Sequence, residues 1–150
     1  MNRRNFLSVA VAGGALMAAG PALARGATHT IKMLNSGADG TMVFEPAVVK
    51  AKPGDTIRFV ATDKGHNAEL VAGMAPAGVT LPKGAMSKDV SYTLTAPGVY
   101  GFKCLPHYAM GMVAVVQVGA GSNRAAVEAV AAKAPGLAKK RFAAYLAKLK

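Results

Sequence analysis

Tyr100-Gly-Phe-Lys-Cys104-Leu-Pro-His107-Tyr-Ala-Met110-Gly-Met112 is the stretch in which the chain concentrates its chemistry. It holds the only cysteine, one of three histidines and two of eight methionines. His107 and Met112 lie three and five residues further on in turn, so one tight loop can aim all three side chains inward. A thiolate, an imidazole and a thioether form a soft donor set, which suits copper better than calcium or magnesium. Pro106 removes a backbone N–H inside the loop, and Gly111 leaves the return turn free to bend.

A second imidazole would complete the His₂Cys set with a weak axial Met that blue-copper sites use. Only His66 and His29 remain to supply it. His66 sits in Asp63-Lys-Gly-His66-Asn67, a turn-like stretch between two strand patterns. His29 lies at the frayed start of the mature chain, so His66 is the candidate. Taken singly, each residue has a plainer reading: a lone Cys is usually a small buried hydrophobe, and Met usually fills gaps in cores. The joint pattern C-x₂-H-x₄-M, with a spare His 38 residues upstream of the cysteine, is far more specific.

Working outward, short strand patterns broken by turns run on both sides of the loop. They are expected at 30–34, 42–44, 47–51, 56–61, 67–71, 89–93, 99–104 and 113–118. Glu45-Pro46 marks a bend, because proline cannot donate to a central ladder. Lys52-Pro-Gly-Asp55 and Ala96-Pro-Gly98 are turns by composition. In 56–61 the alternation puts Ile57 and Phe59 on one face and Arg58 on the other. The stretch 73–88 is the least regular. Many short strands at such intervals indicate an all-β sandwich or barrel.

The two ends of the chain differ from this middle. Residues 1–24 have Arg3-Arg4, an apolar run of about 14 residues and Ala22-Leu23-Ala24, the pattern of a cleaved export signal. The run is too short for a bilayer, which takes roughly 20 residues. The paired arginines resemble a twin-arginine signal, with Sec export as the alternative. Export places the mature protein in a bacterial periplasm. An exported chain with one cysteine closes no internal disulfide, and metal ligation is a sufficient reason to keep an otherwise oxidisable thiol. Sixteen basic residues remain after removal of the signal against seven acidic ones, a net +9. That favours acidic partners; nucleic acid is not expected, since no basic-aromatic motif is present. In the tail, helices are expected over 123–133 and 137–149. Ala138, Phe142, Tyr145 and Leu149 form an apolar stripe on the second, with Lys139, Lys140 and Lys148 facing water. A basic membrane anchor is the alternative to docking of this stripe on the sandwich.

Together Met42-Val-Phe-Glu-Pro46, Pro53-Gly-Asp55, 62–67, 95–101 and the whole run from Lys103-Cys104 through Gln117-Val-Gly119 resemble the cupredoxins, and within them the pseudoazurins. The likeness runs over essentially the whole mature chain. The loop spacing also occurs in plastocyanins, whereas two C-terminal helices are a pseudoazurin feature. The resemblance implies a Greek-key sandwich over 25–121 and a helical extension over 122–150 packed on it, with no membrane contact. It implies one type 1 copper on His66, Cys104, His107 and Met112, with Asn67 and Pro106 beside it. Asn67 would bond the thiolate through its backbone N–H and tie the two ligand loops through its side chain.

Such a protein is an electron carrier, not an enzyme, and is expected as a monomer. Electrons would pass at the edge of His107, through an apolar surface including Met42, Pro106 and Met110. Lys64, Lys83 and Lys103 would ring that surface. Ser36 stands where another lysine is common, and Leu105 where the family often has Thr. The implied partners are periplasmic reductases of denitrification such as copper nitrite reductase, with nitrous-oxide reductase and c-type cytochromes as further ones. A Cys-His hydrolase would need an oxyanion site and a third residue that the sequence lacks. A copper storage or delivery protein, with open sulfur ligands, is the other alternative.

Overall fold

A computed structural model describes residues 25–149. The expected signal segment over 1–24 and Lys150 lie outside the described residues. Among the described residues eight strands form two four-stranded sheets. The first contains β1 (Thr28–Gly37), β2 (Gly40–Glu45), β4 (Asp55–Val60) and β6 (Val90–Leu94), in the order β2-β1-β4-β6. The second contains β3 (Val48–Ala51), β5 (Glu69–Leu70), β7 (Gly98–Lys103) and β8 (Val113–Val118), in the order β3-β8-β7-β5. Glu45-Pro46 falls where the chain leaves one sheet for the other. β1 runs parallel to β4, and β3 parallel to β8; the remaining pairs are antiparallel.

The sequence of each strand records how many of its faces are covered. In β1 and β4, Ile31, Met33, Ile57 and Phe59 are buried while Lys32 and Arg58 are exposed, the period of two of a half-covered sheet. In β8 the alternation vanishes, because both faces are buried. Ala114, Val116 and Val118 enter the core between the sheets, and Val113 and Val115 enter a second core under the helices. Phe59 is central to the first core, with ring centroids 5.3 Å from Phe44, 6.2 Å from Tyr92 and 4.9 Å from Phe102. Truncating such a residue to alanine costs about 3–5 kcal/mol.

The helices α1 (Arg124–Ala131) and α2 (Leu137–Ala147) close the second core. The apolar stripe Ala138, Phe142, Tyr145 and Leu149 is buried there, as is Leu146, while Lys139, Lys140 and Lys148 are exposed. Among the described residues no helix is long and apolar enough to cross a membrane. α1 is shorter than its sequence pattern suggests. Asn123, just before it, spends its side chain elsewhere, accepting from the Val99 N–H at 2.6 Å and donating to the Val99 carbonyl at 2.9 Å.

One expectation needs correction. His29 is not at a frayed end: it lies within β1, opposite Ile57 of β4, and its Nε2 is 2.8 Å from Asp55 Oδ2. Asp55 also accepts the N–H groups of Ala27 and Lys52, each at 2.9 Å. A parallel ladder and a three-way carboxylate anchor hold this end, which composition alone did not signal. Strand limits shift by a residue or two elsewhere, β5 shrinking to Glu69–Leu70 from 67–71, and most for β1, which is Thr28–Gly37 rather than 30–34.

Candidate metal centre

Cys104 follows β7 and Met112 precedes β8, so the loop between them is the tip of a hairpin. The loop is closed by Cys104 N–H to the Met112 carbonyl at 3.0 Å. Inside it the amides of Met110 and Met112 both donate to the His107 carbonyl, and that of Gly111 to Tyr108. His66 comes from the connection between β4 and β5 at the same end of the sandwich. There Gly65, at φ +87°, turns the chain. The Gly65 N–H donates to Ser87 Oγ, and the Ser87 N–H returns to the His66 carbonyl at 2.8 Å.

The three donor atoms converge. His66 Nδ1 and His107 Nδ1 are 3.1 Å apart, and Cys104 Sγ lies 3.8 and 3.6 Å from them. A first-row ion such as zinc, with nitrogens at about 2.0–2.1 Å and sulfur at about 2.3 Å in a trigonal plane, would hold its donors about 3.5–3.8 Å apart. The triangle is close to that size.

A bare His–His hydrogen bond would also bring two nitrogens this near, and the far side of His66 bears on which it is. Its Nε2 is 2.7 Å from Asn35 Oδ1, an acceptor that requires the N–H there. In the neutral ring Nδ1 is then left with a free lone pair, the tautomer a metal ligand needs. Burial lowers the His66 pKa from its ordinary value of 6.5, and the neighbouring His107 acts in the same direction. Burial likewise pushes the Cys104 thiol up from 9.0, against the Asn67 and His107 backbone N–H groups, which favour the thiolate. Ionising that sulfur in a dry site calls for a cation. Asn35 was not singled out from sequence; its signal was only the conjunction of an amide near the end of β1 with a histidine beyond β4.

Met112 is fully buried in the same core cluster as Cys104. Asn67 is buried, and its side chain joins the two loops: Leu105 N–H donates to its Oδ1 at 2.7 Å. Its amide N–H₂ donates to Glu69 Oε2 and to the Gly84 carbonyl. That tie runs through the Leu105 backbone, so it needs no hydroxyl at position 105. Pro106 is exposed, Met110 is 47% exposed, and Met42 is half-buried at φ +51°. Lys64 and Lys83 are exposed. Lys103 is not a free rim charge: its Nζ is 3.7 Å from the buried Glu69 carboxylate and 5.0 Å from the Tyr108 ring centroid. His29 is at the other end of β1, away from the cluster of His66, Cys104 and His107.

Two imidazoles, a thiol and a buried thioether on a β-sandwich define a type 1 copper protein, and residues 31–119 match the family of copper-binding proteins of the plastocyanin/azurin type. Within it the chain belongs to the pseudoazurins. It is 49% identical over 144 residues to the pseudoazurin of Paracoccus pantotrophus, covering 95% of this chain and 97% of that one. It is 56% identical over 89 residues to that of Methylorubrum extorquens, 59% of this chain and 60% of the relative. Crystal structures of pseudoazurins from Hyphomicrobium denitrificans and Methylobacterium extorquens AM1 superpose with TM-scores of 0.77 and 0.78. They are 48% and 46% identical and cover 81% and 82% of this chain and 98% and 99% of theirs. Members of this family are copper electron carriers, not enzymes, and the donor set here fits one type 1 copper ion.

Proposed function

We propose that the protein is a periplasmic one-electron carrier whose copper is held by His66, Cys104, His107 and Met112. The triangle of His66, His107 and Cys104, with the His66 tautomer fixed by Asn35, carries this reading. Copper supplies a one-electron couple, and the protein's part is to keep the donors fixed while charge changes. Asn67 locks one ligand loop to the other, and the Asn35 amide fixes the His66 ring. Both ties limit rearrangement on electron transfer. Burial of His66, Cys104 and Met112 in a closed core argues against storage or delivery, which calls for open, exchangeable ligands. A buried thiol with a raised pKa is also a poor hydrolytic nucleophile.

Docking is proposed at the same end. The exposed large hydrophobics among the described residues are Leu105 at 56%, Met86 and Met110 at 47% and Leu137 at 42%. Leu105 and Met110 belong to the ligand loop. Met86 precedes Ser87, which bonds His66, and the Leu137 N–H donates to the Ala109 carbonyl at 2.9 Å. Such an apolar patch marks an interaction site. Lys83 lies three residues before Met86, and Lys64 two residues before His66. Each of the seven carboxylates in the sequence is engaged in a hydrogen bond or ion pair within the fold. Those carboxylates keep their charge, and the net field is positive because sixteen basic residues face seven acidic ones over 25–150. Acidic reductases such as copper nitrite reductase fit this surface. The pattern of residues 1–24 supports export.

The test is the visible spectrum of the oxidised protein loaded with one equivalent of copper. An intense blue Cu(II)–thiolate band is expected, and Cys104→Ser abolishes it. A colourless copper complex that keeps its metal after that change overturns the assignment.

A further inference from the structure

The run Lys139-Lys-Arg141 divides by burial: both lysines are exposed and Arg141 is half-buried. Its guanidinium faces backbone carbonyls. Nη1 donates to Gly111 O at 2.9 Å, Met42 O at 3.0 Å and Thr41 O at 3.3 Å, and Nη2 to Asp39 O at 3.0 Å and Thr41 O at 3.3 Å. One side chain of α2 thus ties the β1–β2 hairpin to the end of the ligand loop.

The Gly111 bond matters most. The peptide between Gly111 and Met112 has its carbonyl on Arg141 and its N–H on the His107 carbonyl. Its plane is held from both sides, and it is the peptide from which Met112 departs. Gly111 is at φ +91°, and a Cβ there would meet Arg141 Cδ at 2.8 Å and Leu137 Cγ at 3.1 Å. A side chain at 111 would therefore push the guanidinium stem away. Met42, whose carbonyl shares Nη1, holds a left-handed conformation unusual for a non-glycine residue. A lysine could not reproduce this, because a point charge with three donors cannot span four carbonyls as a planar fork does.

We infer that Arg141 is a positioning residue for Met112, which makes the C-terminal helix part of the copper site's support. This rests on the reading of Met112 as the axial donor. In metal-free protein, Arg141→Met should speed hydrogen exchange at the Gly111 and Met112 amides roughly tenfold, as expected for losing charge-assisted hydrogen bonds. In copper-loaded protein the same change should shift the reduction potential and the visible spectrum with the metal retained. Arg141→Lys should shift both in the same direction by less. Leu146→Ala, which loosens α2 on the side facing α1, should lower the melting temperature and leave potential and spectrum alone. An unchanged potential and spectrum in Arg141→Met, with only a melting loss like that of Leu146→Ala, overturns the inference. If Arg141→Met does not fold, Arg141→Lys decides, and a lysine variant identical to the parent in every readout overturns it. Failure of the axial assignment looks different: Met112→Gln would leave the spectrum unchanged while Arg141→Met still loosens the two amides.

Discussion

A histidine is bound at each end of β1, His29 from within the strand and His66 from the β4–β5 connection against Asn35, and the two are used in opposite ways. At the start, His29 gives its ring to the Asp55 carboxylate, which also accepts two backbone amides, so the ring is consumed in an anchor. Toward the far end, Asn35 takes one nitrogen of His66 through a neutral amide oxygen and leaves the other facing Cys104. A carboxylate partner makes a structural clip. An amide partner, with burial, makes a neutral ligand. The difference lies in the second group, which is 26 residues from His29 and 31 from His66, and so is invisible to local patterns.

The largest expected effect separates the two ends directly. His66→Ala should remove the blue band and most copper affinity, whereas His29→Ala should keep the colour and lower only the melting temperature. Copper titration followed by thermal melting checks both. Loss of colour from His29→Ala alone would reverse the ligand assignment. Next in size, Asn35→Ala should weaken copper binding by about 10- to 100-fold, the usual range when the partner of a ligating histidine is removed. Competition with a chelator measures it, and an unchanged affinity would mean that the amide does not set the tautomer.

The Asp55 end should show itself in acid. Its carboxyl is held below the ordinary value of 3.8, first by the Lys52 N–H and then by the His29 ring. A depressed carboxyl contributes stability that is complete above 3.8 and is lost as pH falls through the lower folded value. Asp55→Asn should therefore be less stable at neutral pH and lose less on acidification below 3.8. Urea midpoints of metal-free protein between neutral pH and pH 3 test this. Parallel curves for parent and variant would rule out the anchor as a source of acid lability.

How much of this the sequence disclosed follows the same division. The loop 104–112 is local, so Cys104, His107 and Met112 were readable from spacing, and the turn around His66 from composition. The sandwich was readable because strands such as β4 alternate, and the tail because Ala138, Phe142 and Tyr145 recur at helical spacing. Hidden were the partners that act across the fold. Asn35 on His66, Asp55 on His29 and Arg141 on four carbonyls depend on tertiary approach, not on period. Nothing local in the sequence distinguishes Arg141 from its neighbours Lys139 and Lys140. Lys103 looked like a rim charge for the same reason, while its partner Glu69 is buried on the neighbouring strand.

The smallest effect expected is on association. Charges near the apolar patch steer encounter and act mainly on the association rate, with a reach of about 8 Å at physiological ionic strength. Lys64 and Lys83 are exposed and unattached to the carboxylates of the fold in any ion pair found among the described residues, so each should contribute. Lys103 is already paired with Glu69, so removing it should do two things at once. It should slow encounter less than Lys83→Ala does, and it should disturb the copper spectrum, because Glu69 also holds Asn67. Lys139 and Lys148 lie on the helical face and should matter least. Stopped-flow electron transfer to an acidic reductase across a salt series, with each lysine changed to alanine, ranks them. Rates should fall with salt, and single changes near the patch should cost a few-fold, in line with a rim charge worth about 1 kcal/mol or less. Equal sensitivity to Lys83 and Lys148 would place docking away from the His107 end. A spectrum unmoved by Lys103→Ala would show that Asn67 is held by the Gly84 carbonyl and the Leu105 amide without help from the Glu69 pair.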